Sequence, residues 1–141
     1  MSDIIKSFFT VFVLALLSLS IASCKKQKVA ENNGIVGKWL FTELFDGYAN
    51  GGSFKWNDIS FENSHTISFD SAGHFYKHDN SNANPDCSGS YRWDLPGILI
   101  INSSCSTVEE RWTVSEMTSQ MLIIDIQGIE GISRYKYMAR K

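Results

Sequence analysis

From residue 37 to residue 140, apolar and polar side chains alternate in short runs that are separated by turn-forming residues. Alternation with a period of two is typical of β-strands that bury one face. No stretch keeps the 3.6-residue period of an amphipathic helix, so helix content should be low. We expect eight strands, over residues 37–45, 64–70, 74–79, 88–94, 98–104, 109–115, 121–127 and 133–140.

The connections between these strands differ in length. Tight turns join the second strand to the third, the fourth to the fifth and the sixth to the seventh, and two of them contain Gly73 and Pro96-Gly97. Successive turns of an up-and-down meander alternate between two ends, so the tight turns share one end. The pattern predicts an all-β fold, an eight-stranded antiparallel up-and-down barrel with a closed base and an open mouth. Longer connections cover residues 46–63, 80–87, 105–108 and 128–132.

The same alternation predicts which side chains point into the barrel, and this set is rich in aromatic rings. One interpretation is an apolar pocket for a small hydrophobic or amphipathic ligand. The other is a filled core, because an eight-stranded barrel is only just wide enough for its own side chains. Glu43 and Lys77 are expected to face inward near the mouth, to orient a polar head group or to reach solvent. The candidate lining residues are Phe41, Phe69, Phe75, Tyr91, Trp93, Trp112 and Tyr137.

The longest connection, residues 46–63, combines three glycines with Tyr48, Phe54 and Trp56. Glycines make a loop mobile, and aromatic side chains make it adhesive, so a lid over the mouth is one interpretation. The other is a segment that packs against the barrel wall and includes a short helical turn. The alternation leaves both open.

The first 23 residues differ in composition from the rest. Lys6 precedes an apolar run over residues 8–19, which is shorter than the roughly 20 residues of a membrane span. This order is typical of a secretory signal peptide. The alternative is a plain secretory signal that ends near a cysteine by chance.

The segment Ile21-Ala22-Ser23-Cys24 resembles the lipobox of bacterial lipoproteins. The resemblance implies cleavage before Cys24 and acylation of Cys24, which would anchor the protein in a membrane. The chain then divides into a signal peptide (1–23), a lipidated N-terminus and tether (24–33) and a folded domain (34–141).

The formal net charge is −2 at pH 7, and the signal peptide accounts for one acid and one base. Without a basic excess, a nucleic-acid partner is not expected. The basic run K-K-Q-K over residues 25–28 is interpreted as a solvated tether. It lacks the acidic cluster that resembles surface-export signals in some lipoproteins. The expected location is therefore the cell envelope, on the outer membrane and facing the periplasm. No feature identifies a protein partner.

Two cysteines remain once Cys24 carries lipid, Cys87 and Cys105. An even pair in an oxidising compartment is a disulfide candidate, with two free thiols or a metal site as alternatives. If the turn at 95–97 has three residues, Asp94 pairs with Ile98 and Cys87 lies opposite Cys105. Opposed residues in an antiparallel pair are close enough for a disulfide.

Gly37-Lys38-Trp39 matches the G-x-W signature at the first strand of lipocalins. The later segments I-S-F-D-S-A-G-H-F, G-S-Y-R-W-D-L-P-G-I-L-I-I, W-T-V-S-E-M-T-S-Q-M-L-I and R-Y-K-Y-M-A-R-K resemble bacterial lipocalin-like lipoproteins, so the similarity covers residues 34–141. It implies that Trp39 lies at the closed base and that an arginine near the end of the last strand packs across it. Arg140 is the candidate. The expected fold is therefore a lipocalin-like barrel without the C-terminal helix that usually follows it in that family.

Catalytic chemistry finds no support in the sequence, so we expect a non-enzyme without cofactor or metal. His74 and His78 are roughly 13 Å apart at strand rise, too far to share one metal ion. Asp70 precedes a turn and is interpreted as a turn residue. No nucleophile elbow, P-loop or dinucleotide-binding glycine pattern is present.

The sequence therefore predicts a membrane-anchored lipocalin-like lipoprotein that binds a small hydrophobic or amphipathic ligand in the barrel. The alternative is a non-catalytic envelope interaction module with a filled barrel.

Overall fold

The computed structural model describes residues 34–47, 52–81, 83–129 and 131–141. The predicted signal peptide, Cys24 and the tether lie outside these residues. No helix of the described chain is long and apolar enough to cross a membrane. The described residues form one short 3₁₀ helix, Phe61–Asn63, and nine strands: β1 Gly37–Asp46, β2 Lys55–Asp58, β3 His65–Phe69, β4 His74–Asp79, β5 Cys87–Leu95, β6 Ile98–Ser103, β7 Glu110–Met117, β8 Met121–Gln127 and β9 Ile132–Arg140.

Eight of these strands close into an antiparallel barrel, which confirms the predicted fold class. Strands β3 to β9 pair with their neighbours in chain order, and β1 pairs with both β3 and β9. The predicted strands match the observed ones to within about two residues. All the strand pairings that close the barrel lie within residues 37–140.

Strand β2 was not predicted from the sequence. It pairs with the second half of β1, from Glu43 opposite Asp58 to Asp46 opposite Lys55. The first half of β1 pairs with the shorter β3, and β2 takes the position beside β1 that β3 leaves open. The rings of Phe45 and Trp56 lie 5.3 Å apart. For residues 52–63, the structure therefore has a segment on the barrel wall that includes a short 3₁₀ turn, as the second interpretation proposed.

A β-bulge between Phe41 and Glu43 changes the direction of the side chains along β1. One extra residue in a strand reverses the alternation beyond it. Glu43 consequently faces outward and accepts a hydrogen bond from Lys136 Nζ at 2.7 Å, so its predicted inward direction is wrong. Lys77 pairs with Ile67, which is fully buried, and does face inward.

The closed base is built around Trp39. Gly37 has a φ of +147°, which L-residues with side chains rarely adopt, so glycine is required there for conformational reasons. The chain before Gly37 folds across the base, where Ile35 is completely buried. Trp39 Nε1 donates a hydrogen bond to the carbonyl of Ile35 at 2.8 Å.

The ring that Arg140 covers is Phe61 and not the predicted Trp39, although Arg140 and Trp39 line one cleft at the base. Arg140 pairs with Lys38 at the base, but its guanidinium lies on the outer surface, 5.7 Å from the ring centre of Phe61. Trp39 points inward and pairs with Ala139 of β9. Arg140 is the next residue after Ala139, so its side chain points to the opposite, outer face of the sheet. Ile35, not Arg140, covers the indole.

Cys87 and Cys105 form a disulfide with a Cα–Cα distance of 5.4 Å, which confirms that prediction. The turn between β5 and β6 differs from the expected three-residue loop. Leu95 pairs with Ile98 across a two-residue turn, and a bulge at Asp94 restores the pairing of Trp93 with Leu99. The bulge residue takes the place of the third loop residue, so the register toward the cysteines is the predicted one.

Replacing both cysteines with serine should destabilise the barrel by about 3 kcal/mol, because the bridge closes a loop in the unfolded chain and lowers its conformational entropy. For a domain of this size, that corresponds to a melting temperature lower by about 10 °C or more. Thermal unfolding followed by circular dichroism measures the change. A reductant should lower the melting temperature of the wild type and leave the double variant unchanged. An unchanged wild type in reductant would contradict the stabilising role.

Candidate functional site

A cleft of about 760 Å³ opens at the mouth of the barrel. It lies between the 3₁₀ turn before β3, the loop from β4 to β5 and the disulfide. These elements meet because β3 begins, β4 ends and β5 begins at the end opposite the tight turns. The volume is within the range of small-molecule sites. The lining residues are Glu62, Asn63, Ser64, His65, Lys77, Asp79, Ser81, Ala83, Asn84, Pro85, Cys87, Ser104 and Cys105.

His65 forms the floor of the cleft and covers the aromatic core. Its Nε2 is hydrogen-bonded to the hydroxyl of Tyr137 at 3.0 Å, and its ring centre lies 5.0 Å from that of Phe41. Burial lowers the pKa of His65 from 6.5 to about 4, and the charge of Lys77 acts in the same direction, against Asp79. Burial also raises the pKa of Tyr137 far above its usual range. The floor is therefore a neutral imidazole on a neutral phenol.

The low pKa of His65 makes the stability of the protein depend on pH. The unfolded chain takes up a proton on this residue as the pH falls below about 6.5, while in the folded protein His65 stays neutral until the pH approaches about 4. The free energy of unfolding should therefore be fully kept above pH 6.5 and should fall by up to about 3 kcal/mol across this window. Urea unfolding of wild type and His65→Gln at about pH 7 and about pH 4.5 measures it. Equal losses in both proteins would contradict the assignment.

Lys77 is the one lysine of the cleft lining, and its position beside His65 sets the charge at the floor. Within the described chain, no carboxylate lies within ion-pair distance of its ammonium group. Asp79 is close along β4, but Ser81 and Asn84 occupy its oxygens: the amide and hydroxyl of Ser81 donate to Oδ1 at 2.9 and 2.7 Å, and Asn84 Nδ2 donates to Oδ2. These bonds lower the pKa of Asp79 to about 2. Asp79 thus shapes the loop, and Lys77 keeps its hydrogen-bonding capacity.

The residues predicted to line a pocket form a packed interior in the described barrel. Five of them, Phe41, Phe69, Phe75, Trp112 and Tyr137, are 2–7% exposed. A cavity large enough for water would leave accessible surface on its walls, so these values indicate the filled-core alternative. The rings contact one another: the centre of Phe75 lies 5.5 Å from that of Phe69 and 5.7 Å from that of Trp112.

The two remaining predicted residues, Tyr91 and Trp93, lie toward the base, far along β5 from the cleft. The hydroxyl of Tyr91 donates to the carbonyl of Asp70 in the tight turn at 2.7 Å. Trp93 pairs with Leu99 near the Pro96-Gly97 turn. Neither side chain contributes to the mouth.

The other two histidines form separate pairs with acids. His74 Nδ1 lies 2.7 Å from Asp70 Oδ2 at the base, where Asp70 also accepts from two turn amides. His78 Nδ1 lies 2.8 Å from Asp86 Oδ1 on the outer wall. In the part of the chain that the structure describes, no group of three histidine, cysteine or acidic side chains is arranged to hold a metal ion.

Of the cleft lining, the sequence predicts Lys77 and the two cysteines by residue, and segments 46–63 and 80–87 as the borders of the mouth. The polar run D-N-S-N-A-N over residues 79–84 was an available indication, because short polar side chains that close a loop on themselves often border a site. No protein-family model matches this chain, and a search of curated proteins found no significant match.

Proposed function

We propose that this protein is a non-catalytic, lipid-anchored envelope protein that binds a small ligand with an anionic group in the mouth cleft of its lipocalin-like barrel. The observation that carries the proposal is Lys77, an inward-facing ammonium group without a carboxylate partner among the described residues, at the floor of a 760 Å³ cleft. A half-buried cation without a partner loses hydration and gains no compensating contact. A carboxylate or phosphate on Lys77 would supply that contact.

The chemistry of the lining narrows the class of ligand. Asn63, Asn84 and Ser104 offer hydrogen bonds around the cleft, while Pro85 and Ala83 provide a small apolar surface. Glu62 at the rim favours a hydroxyl or amine on the outer side of the ligand. These features suit a compact amphipathic or polar molecule, with its anionic group inward.

The packed interior favours the cleft over the barrel axis as the place of binding. Inserting an acyl chain would have to displace the rings of Phe41 and Tyr137, which contact His65 directly beneath the cleft. Cores close-packed in this way resist such insertion. A long apolar ligand therefore fits the site poorly.

The lipid anchor is supported by the resemblance of residues 21–24 to a lipobox. Intact mass spectrometry of the protein from its own membrane tests it. We expect a mature chain that begins at Cys24 and carries acyl groups, and we expect detergent to be required for its extraction. Cleavage elsewhere, or an unmodified Cys24, would contradict the anchor without affecting the proposed cleft ligand.

Native mass spectrometry of the protein purified from its own envelope extract tests the ligand. The expected result is an adduct that denaturation releases, and that Lys77→Met loses. Lys55→Met is the matched control, since Lys55 is an exposed lysine on β2 outside the cleft. A charge-assisted hydrogen bond is worth about 1.5–3 kcal/mol, so Lys77→Met should weaken binding about tenfold to a hundredfold. An adduct-free wild type, or equal retention in both variants, would contradict the proposal.

The packed interior also favours the second candidate, an interaction module that uses the loops of the mouth. Phe54 is about half exposed in the segment around β2, and exposed aromatic rings are typical of protein contact surfaces. Crosslinking in intact cells distinguishes the candidates. If the protein is an interaction module, a partner protein should be crosslinked through this segment. If it is a ligand-binding protein, native mass spectrometry should instead show the adduct.

A further inference from the structure

A second cleft, of about 470 Å³, lies on the outer wall of the barrel, and it is strongly basic. It crosses four strands in one row: Arg140 of β9 pairs with Lys38 of β1, Lys38 with Ser68 of β3, and Ser68 with Tyr76 of β4. Lys141 adds a third cation, and Thr66 and His78 extend the lining along the wall toward the mouth, where His78 Nδ1 lies 2.8 Å from Asp86 Oδ1. Within the described residues, no carboxylate lies within ion-pair distance of Lys38 or Arg140.

From this cleft we propose that the outer wall of the barrel docks on anionic phospholipid headgroups of the membrane. Phosphate oxygens match what the cleft offers: a guanidinium, ammonium groups and the hydroxyls of Ser68 and Tyr76. The hydroxyl oxygen of Thr66 is buried in the same lining and has no hydrogen-bond partner in the described protein. The cleft therefore combines cations that have no carboxylate partner among the described residues with a buried hydroxyl that has no hydrogen-bond partner there.

The position of the cleft points to a membrane as the source of these phosphates. A neighbouring cleft shares Lys38 and Arg140 and reaches Gly34, the first described residue. Residues 24–33 connect Gly34 to Cys24, and ten residues span at most about 35 Å. The inference thus rests on the proposed lipid anchor at Cys24, which would hold Gly34, and with it this neighbouring cleft, within about 35 Å of the bilayer.

The apolar residues around the cleft fit the same partner. Tyr76 is 47% exposed in the lining, Phe61 is 51% exposed under Arg140, and Val36 is 42% exposed in the neighbouring cleft. Amphipathic aromatic rings beside basic residues are typical of the membrane–water interface. The whole chain has a net charge of −2, so attraction to an anionic bilayer has to come from local basic patches, of which this cleft is one.

Vesicle sedimentation of the unlipidated barrel, residues 34–141, tests the docking without any contribution from the anchor or from Lys25, Lys26 and Lys28. The probes are vesicles of phosphatidylcholine with and without phosphatidylglycerol. We expect binding only to the phosphatidylglycerol vesicles, and less of it at high salt, because screening shortens the range of the attraction. Each basic residue at an anionic surface contributes about fivefold in affinity, so Lys38→Gln/Arg140→Gln should lose about 25-fold.

Lys55→Gln/Arg92→Gln is the matched control, because it removes the same charge from β2 and β5, away from the cleft. It should change the affinity by less than about twofold, since the removed charges would lie away from the surface. Equal losses in the two double variants, or no binding to phosphatidylglycerol vesicles, would overturn the docking. Displacement from the vesicles by millimolar inorganic phosphate would also overturn it, in favour of a soluble phosphate ligand. A mature chain without acylation at Cys24 would contradict the anchor. It would not affect the vesicle test of the docking, because residues 34–141 do not include Cys24.

Discussion

Replacing Gly89 with alanine is expected to destabilise the barrel by about 3 kcal/mol or more, one of the largest effects of any single substitution in this protein. Gly89 lies in the middle of β5, opposite Phe75 on one side and Ser103 on the other. A methyl group there would lie 1.9 Å from the carbonyl oxygen of Asn102 and 2.8 Å from Cα of Ser103. Both atoms belong to the backbone of β6, which cannot move without breaking the pairing that leads to the disulfide.

Glycine inside a strand often marks a tight bend at the corner of a barrel, and Gly89 fits that role. Urea unfolding monitored by tryptophan fluorescence measures the loss. Gly47→Ala is the control, because its methyl group would only meet the ring of Phe45 at 3.6 Å, an ordinary contact. That variant should lie within about 1 kcal/mol of the wild type. A Gly89→Ala protein as stable as Gly47→Ala would show that β5 and β6 are not in this close approach.

Truncating Phe75 to alanine should cost about 3–5 kcal/mol, because the side chain is 2% exposed and packed against two other rings. The size of this loss separates the two interpretations of the barrel interior. In a packed core, the truncation leaves a new cavity whose walls lose their contacts. In a ligand pocket, the ring would border existing space and its removal would cost much less.

Tyr76 is the matched control for Phe75, since it is the next residue of β4 and its ring points outward. Tyr76→Ala should change the free energy of unfolding by less than about 1 kcal/mol. A loss for Phe75→Ala as small as the loss for Tyr76→Ala would indicate a hollow barrel and would restore the predicted pocket.

The barrel strands and the disulfide could be predicted because a period of two is a local property of the sequence. Strand β2 could not, because K-W-N-D contains one apolar residue and no alternation. It forms only because β3 is shorter than β1 and leaves an edge to pair. We expected a three-residue loop, and the structure has a two-residue turn with a bulge at Asp94. Both give the same register between β5 and β6, so the predicted pairing of the cysteines is correct although the predicted turn is not.

The candidate site was harder to predict. The bulge at Phe41 and Glu43 turned one of the two expected inward polar residues outward, and nothing in the alternation announces a bulge. Whether aromatic rings line a pocket or fill a core depends on the sum of their volumes against the barrel, which no single residue type reveals. The cleft itself forms where β3 begins, β4 ends and β5 begins. The ends of these strands depend on how the strands pair in the folded barrel, which the local sequence does not specify.

The two clefts are lined by different residues, one inside the mouth and one on the outer wall, and their proposed partners are compatible. A wall held on phospholipid by Lys38 and Arg140 would leave the lining of the Lys77 cleft uncovered. A soluble ligand could then reach His65 and Lys77 without competing with the membrane.

The most direct test of the central claim is the location of the bound molecule. Amide chemical shifts of the isotopically labelled barrel are recorded with and without the adduct recovered by native mass spectrometry. We expect perturbations centred on residues 62–65 and 77–87, with the amides around Trp112 and Leu122 unchanged. Perturbations centred on those core residues would mean that the barrel opens to hold its ligand inside, which would contradict binding at the mouth.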